Sequence, residues 1–436
     1  GVLGGTYTHL IDKNSYFKAS VALMGSEIEF FYDVLDSLNN RSNYHDERHN
    51  ENRIATSLVY SRKINSSLRF KTGAFINFIT NYDFYKRTIQ RASISDIIEQ
   101  NANLAINGQG STQTLQYYAQ LSKDINSQLT LNAGGHFMYL PLNVTSSLEP
   151  RLSLKYTPFP KHSFGLAYGL HSKILPFASY FYTVRDTING GIQERLPNMD
   201  LPFVKSHHLI GSYTYSTPSG LRFSSEIYYQ RLFNVPISSD PDNFYWMLNN
   251  SSEFLQSEVE SGGKGENYGL DLALEQFFSN KVYFLLTASF YKSYFFPKNG
   301  QRYNSTFAND FVSSLTFGRE FEFKKGRLLQ VGVRVLYNGG NRYTPADKDA
   351  SLEAGRYILD ENALNSERIP NYFRIDARIA YRYNAPKLAG KISLDVQNVL
   401  NYQNPSRVAY DPVTNSLFFR NHTSGLVPVL AFEFDF

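Results

Sequence analysis

The eleven residues Leu426–Phe436 show an alternation that few folds can accommodate. Large apolar residues occupy alternate positions, and Glu433 and Asp435 lie at the positions between them. Successive side chains of an extended strand point to opposite faces, so this strand needs an apolar environment on one side and water on the other. A half-buried strand of a soluble sandwich satisfies this requirement, and so does a strand of a transmembrane β-barrel, between lipid and lumen.

The same alternation recurs along the chain over stretches of roughly ten or more residues, longer than the usual strand of a globular protein. In Tyr372–Tyr383, aromatic and aliphatic residues share one face, whereas Arg374, Asp376, Arg378 and Arg382 share the other. Such lengths suit a tilted crossing of the bilayer. Further examples are 221–230, 329–337 and 391–399.

The connections between these stretches alternate in length, which favours the barrel. Tight turns are predicted at Asp12–Asn14, Asn65–Ser66, Asn126–Ser127, Phe159–Lys161, Pro218–Gly220, Ser279–Asn280, Lys325–Gly326 and Ala385–Lys387. Between them lie polar loops, predicted at 36–52, 89–113, 175–203, 234–265, 297–308, 341–371 and 402–425, with one shorter connection at 141–147. Short turns on one side and long loops on the other are typical of an outer-membrane barrel.

Composition excludes several alternatives. Aromatic residues form 15% of the chain and mean hydropathy is −0.36, and no run of eighteen apolar residues could form a spanning helix. The net charge of +4 is small and dispersed, which argues against nucleic-acid binding. The absence of cysteine rules out disulfides, thiolate metal sites and cysteine nucleophiles in this chain.

The predicted fold is therefore an all-β, transmembrane, up-and-down antiparallel β-barrel with about 17 visible strands. Bacterial single-chain barrels have even strand numbers and both ends on one side. We therefore expect residues 1–436 to be the C-terminal portion of one barrel domain, with a plug and the first strands upstream and the C-terminus in the periplasm.

An ordered series of motifs resembles the barrel of TonB-dependent outer-membrane receptors of the Bacteroidota type. The resemblance covers most of the chain from about Glu149 onward and lies in the order of the motifs, since each alone is a common strand or turn pattern. The motifs are 149–156, 166–172, 226–230, 233–236, 263–272, 338–345 and 395–401.

The resemblance implies a 22-stranded barrel closed by an N-terminal plug, which contacts the energy-transducing TonB complex. Neither the plug nor its contact motif is visible in this chain. Phe436 looks like the C-terminal signal by which the barrel-assembly machinery recognises such proteins.

Two groups of residues are candidates for substrate binding. Arg374, Arg378 and Arg382 could guide an anionic solute through the lumen, or the charges of this row could merely solvate the lumen and pair across strands. The second group, Phe244, Tyr245 and Trp246, resembles a platform for a sugar ring or a peptide side chain. The alternative is that this loop packs on its neighbours.

No metal site, cofactor site or catalytic site is predicted. Asp240 and Asp242 lack calcium-loop spacing. His45 and His49 do not form a zinc-helix motif, and we expect them at a solvated loop tip. The glycines of 262–265 precede a strand, which favours a return into the barrel over phosphate binding. No nucleophile, base and acid share a recognisable spacing, so the expected class is a transporter, not an enzyme.

The expected function is TonB-coupled uptake of a substrate that extracellular loops bind, in the outer membrane of a Gram-negative bacterium. One alternative is a structural or partner-binding barrel subunit of an outer-membrane complex, and another is a passive porin. The expected partners are outer-membrane lipid, the TonB complex through the plug, and a surface lipoprotein or another envelope protein.

Overall fold

A computed structural model describes residues 1–35, 39, 41–89, 102–188, 191–249, 257–354, 356–385, 388–411, 413–414, 416–421 and 425–435. Within these residues, seventeen long strands and the two-residue strand β15 (Tyr303–Asn304) form one sheet. The long strands are β1 (Val2–Asp12), β2 (Ser15–Leu35), β3 (Arg41–Lys63), β4 (Leu68–Ile89), β5 (Ala102–Asp124), β6 (Leu129–Leu140), β7 (Thr145–Phe159), β8 (His162–Lys173), β11 (Val204–Ser216), β12 (Leu221–Ser238), β13 (Val259–Ser279), β14 (Val282–Phe296), β16 (Phe311–Phe323), β17 (Arg327–Asn338), β20 (Tyr372–Ala385), β21 (Leu388–Gln397) and β24 (Val427–Asp435).

Each long strand pairs antiparallel with its neighbours in chain order, so the topology is a meander. β8 continues to β11, β14 to β16, β17 to β20 and β21 to β24. Among the described residues, β1 pairs only with β2 and β24 only with β21. The predicted fold class and number of strands are confirmed.

The intervening elements belong to the connections between the long strands. Three short hairpins lie there: β9 (Val184–Ile188) with β10 (Gly191–Arg195), β18 (Arg342–Tyr343) with β19 (Glu367–Arg368), and β22 (Pro405–Asp411) with β23 (Ser416–Asn421). The helical segments are the α-helix α1 (Lys348–Ala354) and 3₁₀ turns at Pro141–Asn143, Phe177–Phe181, Met247–Asn249, Lys324–Gly326 and Glu361–Ala363. In the described part of the chain, no helix is both long and apolar enough to span a membrane.

The predicted tight turns join consecutive strands as expected. Asn280 and Lys281 both have positive φ, the backbone conformation that two-residue hairpin turns require. At the β3–β4 turn, the Asn65 Oδ1 atom accepts a hydrogen bond from the Ser67 backbone amide at 2.9 Å, as turn-forming asparagines do. Pro386 and Lys387, in the last predicted turn, lie outside the described residues.

Three predicted loops are shorter than expected because polar strands continue through them. Residues 41–52 belong to β3, 102–113 to β5, and 234–238 and 259–265 to β12 and β13. His45 and His49, expected at a loop tip, therefore lie in a strand that pairs with both β2 and β4. Above a membrane both faces of a strand meet water, so the apolar alternation ends while the hydrogen-bonded ladder continues.

The two faces of the sheet differ as the alternation predicts. Ile227, Ile379 and Leu430 are 65%, 53% and 59% exposed, although they are large and apolar. The opposite face carries polar pairs such as Arg378 with Asp395. The loop after β8 packs on this polar face, which identifies it as the inner wall, so the exposed apolar face is the one that contacts lipid.

Candidate functional site

The loop between β8 and β11 folds back onto the inner wall of β4, β5 and β6. Leu175, Ala178, Tyr180 and Phe181 are buried against wall residues that include Phe84 and Ile106. The backbone is attached as well, because the Thr183 amide donates to the Ala105 carbonyl at 3.1 Å. Burial raises the pKa of the Tyr180 hydroxyl to about 12.

A glycine permits this close approach. The Phe181 ring packs directly on Gly108 of β5, and a Cβ atom at that position would overlap the ring. Ring contacts then continue from Phe181 to Tyr82 and Phe84, whose centroids are 5.0 and 6.0 Å away. Gly108 therefore fixes where the loop contacts the wall.

The inner wall beside this loop contains a cavity of about 900 Å³. The cavity and the loop contacts meet at Met138, which borders the cavity and also belongs to the buried cluster around Phe181. Its lining comes from β4 to β8 and β11 and combines apolar with polar side chains. The polar residues that carry its chemistry are Lys71, Gln116, His136, Glu149, Arg151, His171, Ser172 and His208.

Glu149 is the centre of the polar network in this cavity. Its side chain is 1% exposed and accepts hydrogen bonds from Arg151 Nη2 at 2.8 Å and from Ser172 Oγ at 2.7 Å. The Ser172 amide donates to it at 3.1 Å, and His136 Nδ1 lies 3.0 Å away. A buried carboxylate with so many donors is well satisfied, so it orients Arg151 and His136 toward the lumen.

Two further histidines lie beside this network. The His171 and His208 rings are tilted, with centroids 4.6 Å apart, and the His171 ring lies over Gly169, which leaves room for it. On the other side, His136 Nε2 is 3.2 Å from Gln116 Oε1. Together with Lys71 and Arg151, these side chains offer several hydrogen-bond donors. In the part of the chain that the structure describes, the lining contains a single carboxylate, Glu149, which already accepts hydrogen bonds from its neighbours. The cavity is thus suited to polar, anionic groups.

The sequence did not identify this cavity. Glu149 and His171 fall within motifs of the family resemblance, but nothing in a single sequence shows that β6, β7, β8 and β11 bring them together. Their contacts depend on the register between strands, which pairs His136 with Glu149 and Gly169 with His208. The one sequence signal for the site is an acidic residue, Glu149, at an inward strand position, since acidic residues are rarely buried without partners.

The predicted arginine row is largely paired. Arg374 binds Asp376 through two hydrogen bonds of 2.6 and 2.8 Å, and Arg378 donates to Asp395 at 3.1 Å. Pairing across strands was the alternative that the sequence left open. Arg378 with Asp395 is such a pair, whereas Arg374 and Asp376 lie on the same strand. Arg382 lies on the same inward face, opposite Lys391 in the register. A role for the row in solute passage stays a prediction.

The predicted aromatic platform is mostly packed against the wall. Trp246 is 5% exposed, and its ring stacks on Phe295 with a centroid distance of 5.2 Å. Gly263 and Gly265 of β13 make room for the indole, because a Cβ atom at either position would lie 3.1 Å from it. Trp246 thus packs on its neighbours, as the alternative interpretation of this loop expects. Phe244 and Tyr245 are half-buried, and their role in substrate binding stays a prediction.

The remaining sequence candidates lie elsewhere. His45 was expected to be solvated but is buried, because side chains of the neighbouring strands cover it. Its Nδ1 atom lies 2.8 Å from the Thr88 hydroxyl. Asp240 uses its carboxylate to accept from the Asp242 amide in a turn. No group of three or more potential metal-ligating side chains occurs in the described ranges. Phe436 lies outside the described residues.

Comparisons with known proteins agree with this architecture. Residues 3–399 match the model of the family described as "TonB dependent receptor-like, beta-barrel". No curated protein sequence matches the chain. Among solved structures, the ferric yersiniabactin uptake receptor FyuA from Yersinia pestis is 13% identical, with a TM-score of 0.66 over 100% of this chain and 61% of that one.

Two other solved receptors show the same degree of similarity. The siderophore receptor PiuA from Acinetobacter baumannii is 13% identical, with a TM-score of 0.67 over 99% of this chain and 63% of that one. The pyoverdine receptor FpvA from Pseudomonas aeruginosa PAO1 is 12% identical, with a TM-score of 0.67 over 100% and 61%. The chain thus spans about three-fifths of the length of these receptors. The family match covers most of its residues, and the chain belongs to the TonB-dependent receptor β-barrel family.

Proposed function

We propose that this chain forms the wall of a TonB-coupled uptake receptor, which binds its substrate from the long-loop side and works by transport and not by catalysis. The observation that carries this proposal is the polar cavity on the inner wall, bordered by a loop that packs into the lumen of a barrel of this family. Loops held by a rigid scaffold are where binding residues concentrate.

The lining of the cavity favours a hydrophilic, anionic substrate. Lys71 and Arg151 supply positive charge, whereas the one carboxylate, Glu149, is occupied by four donor groups. The solved relatives are described as receptors of ferric yersiniabactin and pyoverdine. At their level of identity the similarity shows the fold alone, so the substrate class is argued from the cavity.

In this proposal residues 1–436 act as one barrel portion in the outer membrane of a Gram-negative bacterium, with the tight turns and the C-terminus in the periplasm. A plug inside the barrel connects it to the TonB complex. A surface lipoprotein or another envelope protein is a further proposed partner on the long-loop side. The Bacteroidota origin and the role of Phe436 in barrel assembly stay predictions.

Uptake in living cells tests the proposal. A strain without the receptor is complemented with the full-length gene, and depletion of anionic solutes from the medium is measured with and without a proton-motive force. We expect depletion to require the proton-motive force. Lys71→Ala should reduce depletion at least about tenfold, because the variant loses one charge-assisted contact with the substrate.

Lys155→Ala is the matched control, because Lys155 also lies on the inward face of the wall but outside the cavity lining. If Lys71→Ala and Lys155→Ala deplete the medium equally, the cavity is not the binding site for the substrate. Single-channel recording of the full-length receptor gives an independent check. A large constitutive conductance would favour the passive porin.

A further inference from the structure

A cluster of basic side chains lies on the outer face of the barrel, at the long-loop end. On β14, Phe290, Lys292 and Tyr294 point outward, whereas Tyr291 and Ser293 line an inner cavity. Phe290 is 51% exposed, and its outward neighbour Tyr268 on β13 is 41% exposed. The apolar run of β14 thus ends at Lys292, where the strand leaves the hydrocarbon.

Aromatic rings mark the same level around the outer face. Phe311 contacts Tyr337 at 5.1 Å between centroids, Tyr337 contacts Phe373 at 6.2 Å, and Phe373 contacts Tyr402 at 6.2 Å. Such a belt is typical of the interface between lipid and water. The basic side chains therefore lie at the depth of lipid headgroups.

Three cations converge on one carboxylate oxygen at this level. Asp310 Oδ2 lies 2.6 Å from Lys292 Nζ and 3.6 Å from Arg342 Nη2, and it also contacts Arg368. Arg302 adds a fourth cation, with its guanidinium 4.5 Å from the centroid of the Tyr294 ring. We call Lys292, Arg302, Arg342 and Arg368, with Asp310, the rim cluster.

Positive charge in the rim cluster exceeds what the protein neutralises. Three cations contact Asp310, and Arg302 lies over the Tyr294 ring. Glu266, an outward carboxylate of β13, accepts from the Tyr229 hydroxyl at 3.3 Å. Arg342 is only 11% exposed, and burial lowers its pKa. Its Nε atom has no acceptor among the described residues. Buried cations without enough counter-charge destabilise a protein, so an external anion would stabilise this arrangement.

We propose that the rim cluster binds the phosphate of a phosphorylated outer-leaflet lipid, whose acyl chains lie against the exposed apolar band below it. Arginine and lysine are suited to phosphate. Lipid is favoured over a soluble phosphate because the exposed Phe290 and its partner Leu270 lie one outward position below Lys292, so headgroup and chains are bound together.

Binding to the full-length receptor, purified in mild detergent, tests the proposal. The probes are bisphosphorylated lipid A, dephosphorylated lipid A with the same acyl chains, and inorganic phosphate, each measured by native mass spectrometry and by the shift in melting temperature. We expect the bisphosphorylated form to bind at least tenfold more tightly than either other probe, and Lys292→Gln with Arg368→Gln to abolish that difference.

Lys281→Gln is the matched control, because Lys281 is next to the other end of β14 and pairs with Glu322. It should leave binding within twofold of wild type. Heat-modifiable migration on gels verifies that each variant is folded, and the single variant Arg368→Lys, which should retain part of the binding, replaces the double variant if that fails to fold. Equal binding of the two lipid A forms, or phosphate binding as tight as lipid binding, would overturn the proposal.

Discussion

Glu149 shows how a single buried charge can determine the shape of a binding cavity. Replacing it by alanine leaves Arg151, His136 and Ser172 without their shared acceptor. Arg151 is 47% exposed and can turn to water, so the loss is that of hydrogen bonds to a charged group, about 1.5–3 kcal/mol. We expect the free energy of unfolding, measured by urea titration in detergent, to fall by this amount.

Glu433→Ala provides the comparison. Glu433 also pairs across strands on the inward face, with Lys391, but its side chain is 60% exposed. An exposed ion pair contributes about 0–1 kcal/mol, so this variant should unfold almost like the wild type. Similar losses in the two variants would mean that burial is not what makes Glu149 important.

Gly108 has an equally specific role, because the Phe181 ring occupies the space of a side chain there. Overpacking costs about 1–3 kcal/mol, so Gly108→Val should increase the population of the displaced loop by about five- to 150-fold. Trypsin cleavage at the exposed Arg185 and Arg195 of the β9–β10 hairpin measures this population.

Gly135→Val on β6 is the control, since a side chain there meets open space. It should leave the rate of trypsin cleavage unchanged. A normal rate for Gly108→Val would show that the loop tolerates displacement of Phe181, and its position would then not depend on this glycine.

At the scale of elements, local sequence predicted the faces and the turns but not the lengths of strands. Alternation and turn residues act within a few positions, so β17, β20 and β24 and the turns between strands were predicted correctly. Above the membrane, β3 and β5 keep their ladders without an apolar face, and His45 was misplaced for that reason. Contacts such as Lys292 with Asp310 or His136 with Glu149 follow from strand register, which the pattern of one strand does not contain.

The face assignment can be tested on β17. Val333 lies at the middle of this strand on the lipid face, whereas Gln330 points inward and donates to Glu320 at 2.6 Å. Arginine at the bilayer midplane costs about 2–4 kcal/mol on the lipid face, so Val333→Arg should reduce the yield of folded barrel in liposomes. Gln330→Arg should be tolerated because Glu320 can accept from the new guanidinium. Equal yields for the two variants would refute the assignment.

For the whole molecule, the absence of cysteine allows the orientation to be measured directly. Ile192→Cys places a thiol at a site 73% exposed in the β9–β10 hairpin, and Lys325→Cys places one in the tight β16–β17 turn. We expect a membrane-impermeant maleimide to label the first in intact cells and the second only after permeabilisation. The reverse pattern would invert the proposed topology.

The unequal heights of the strands have a consequence for encounters with solutes. Strands β2 to β5 have 21 to 23 residues, whereas β6 and β7 have 12 and 15 and are joined by four residues. At about 3.3 Å per residue, one sector of the rim rises well above the other, and its hydrogen-bonded ladder makes it a fixed barrier. The inner wall below the low sector carries His136 and Glu149. A solute that approaches over this low sector therefore passes less rigid sheet before it reaches them.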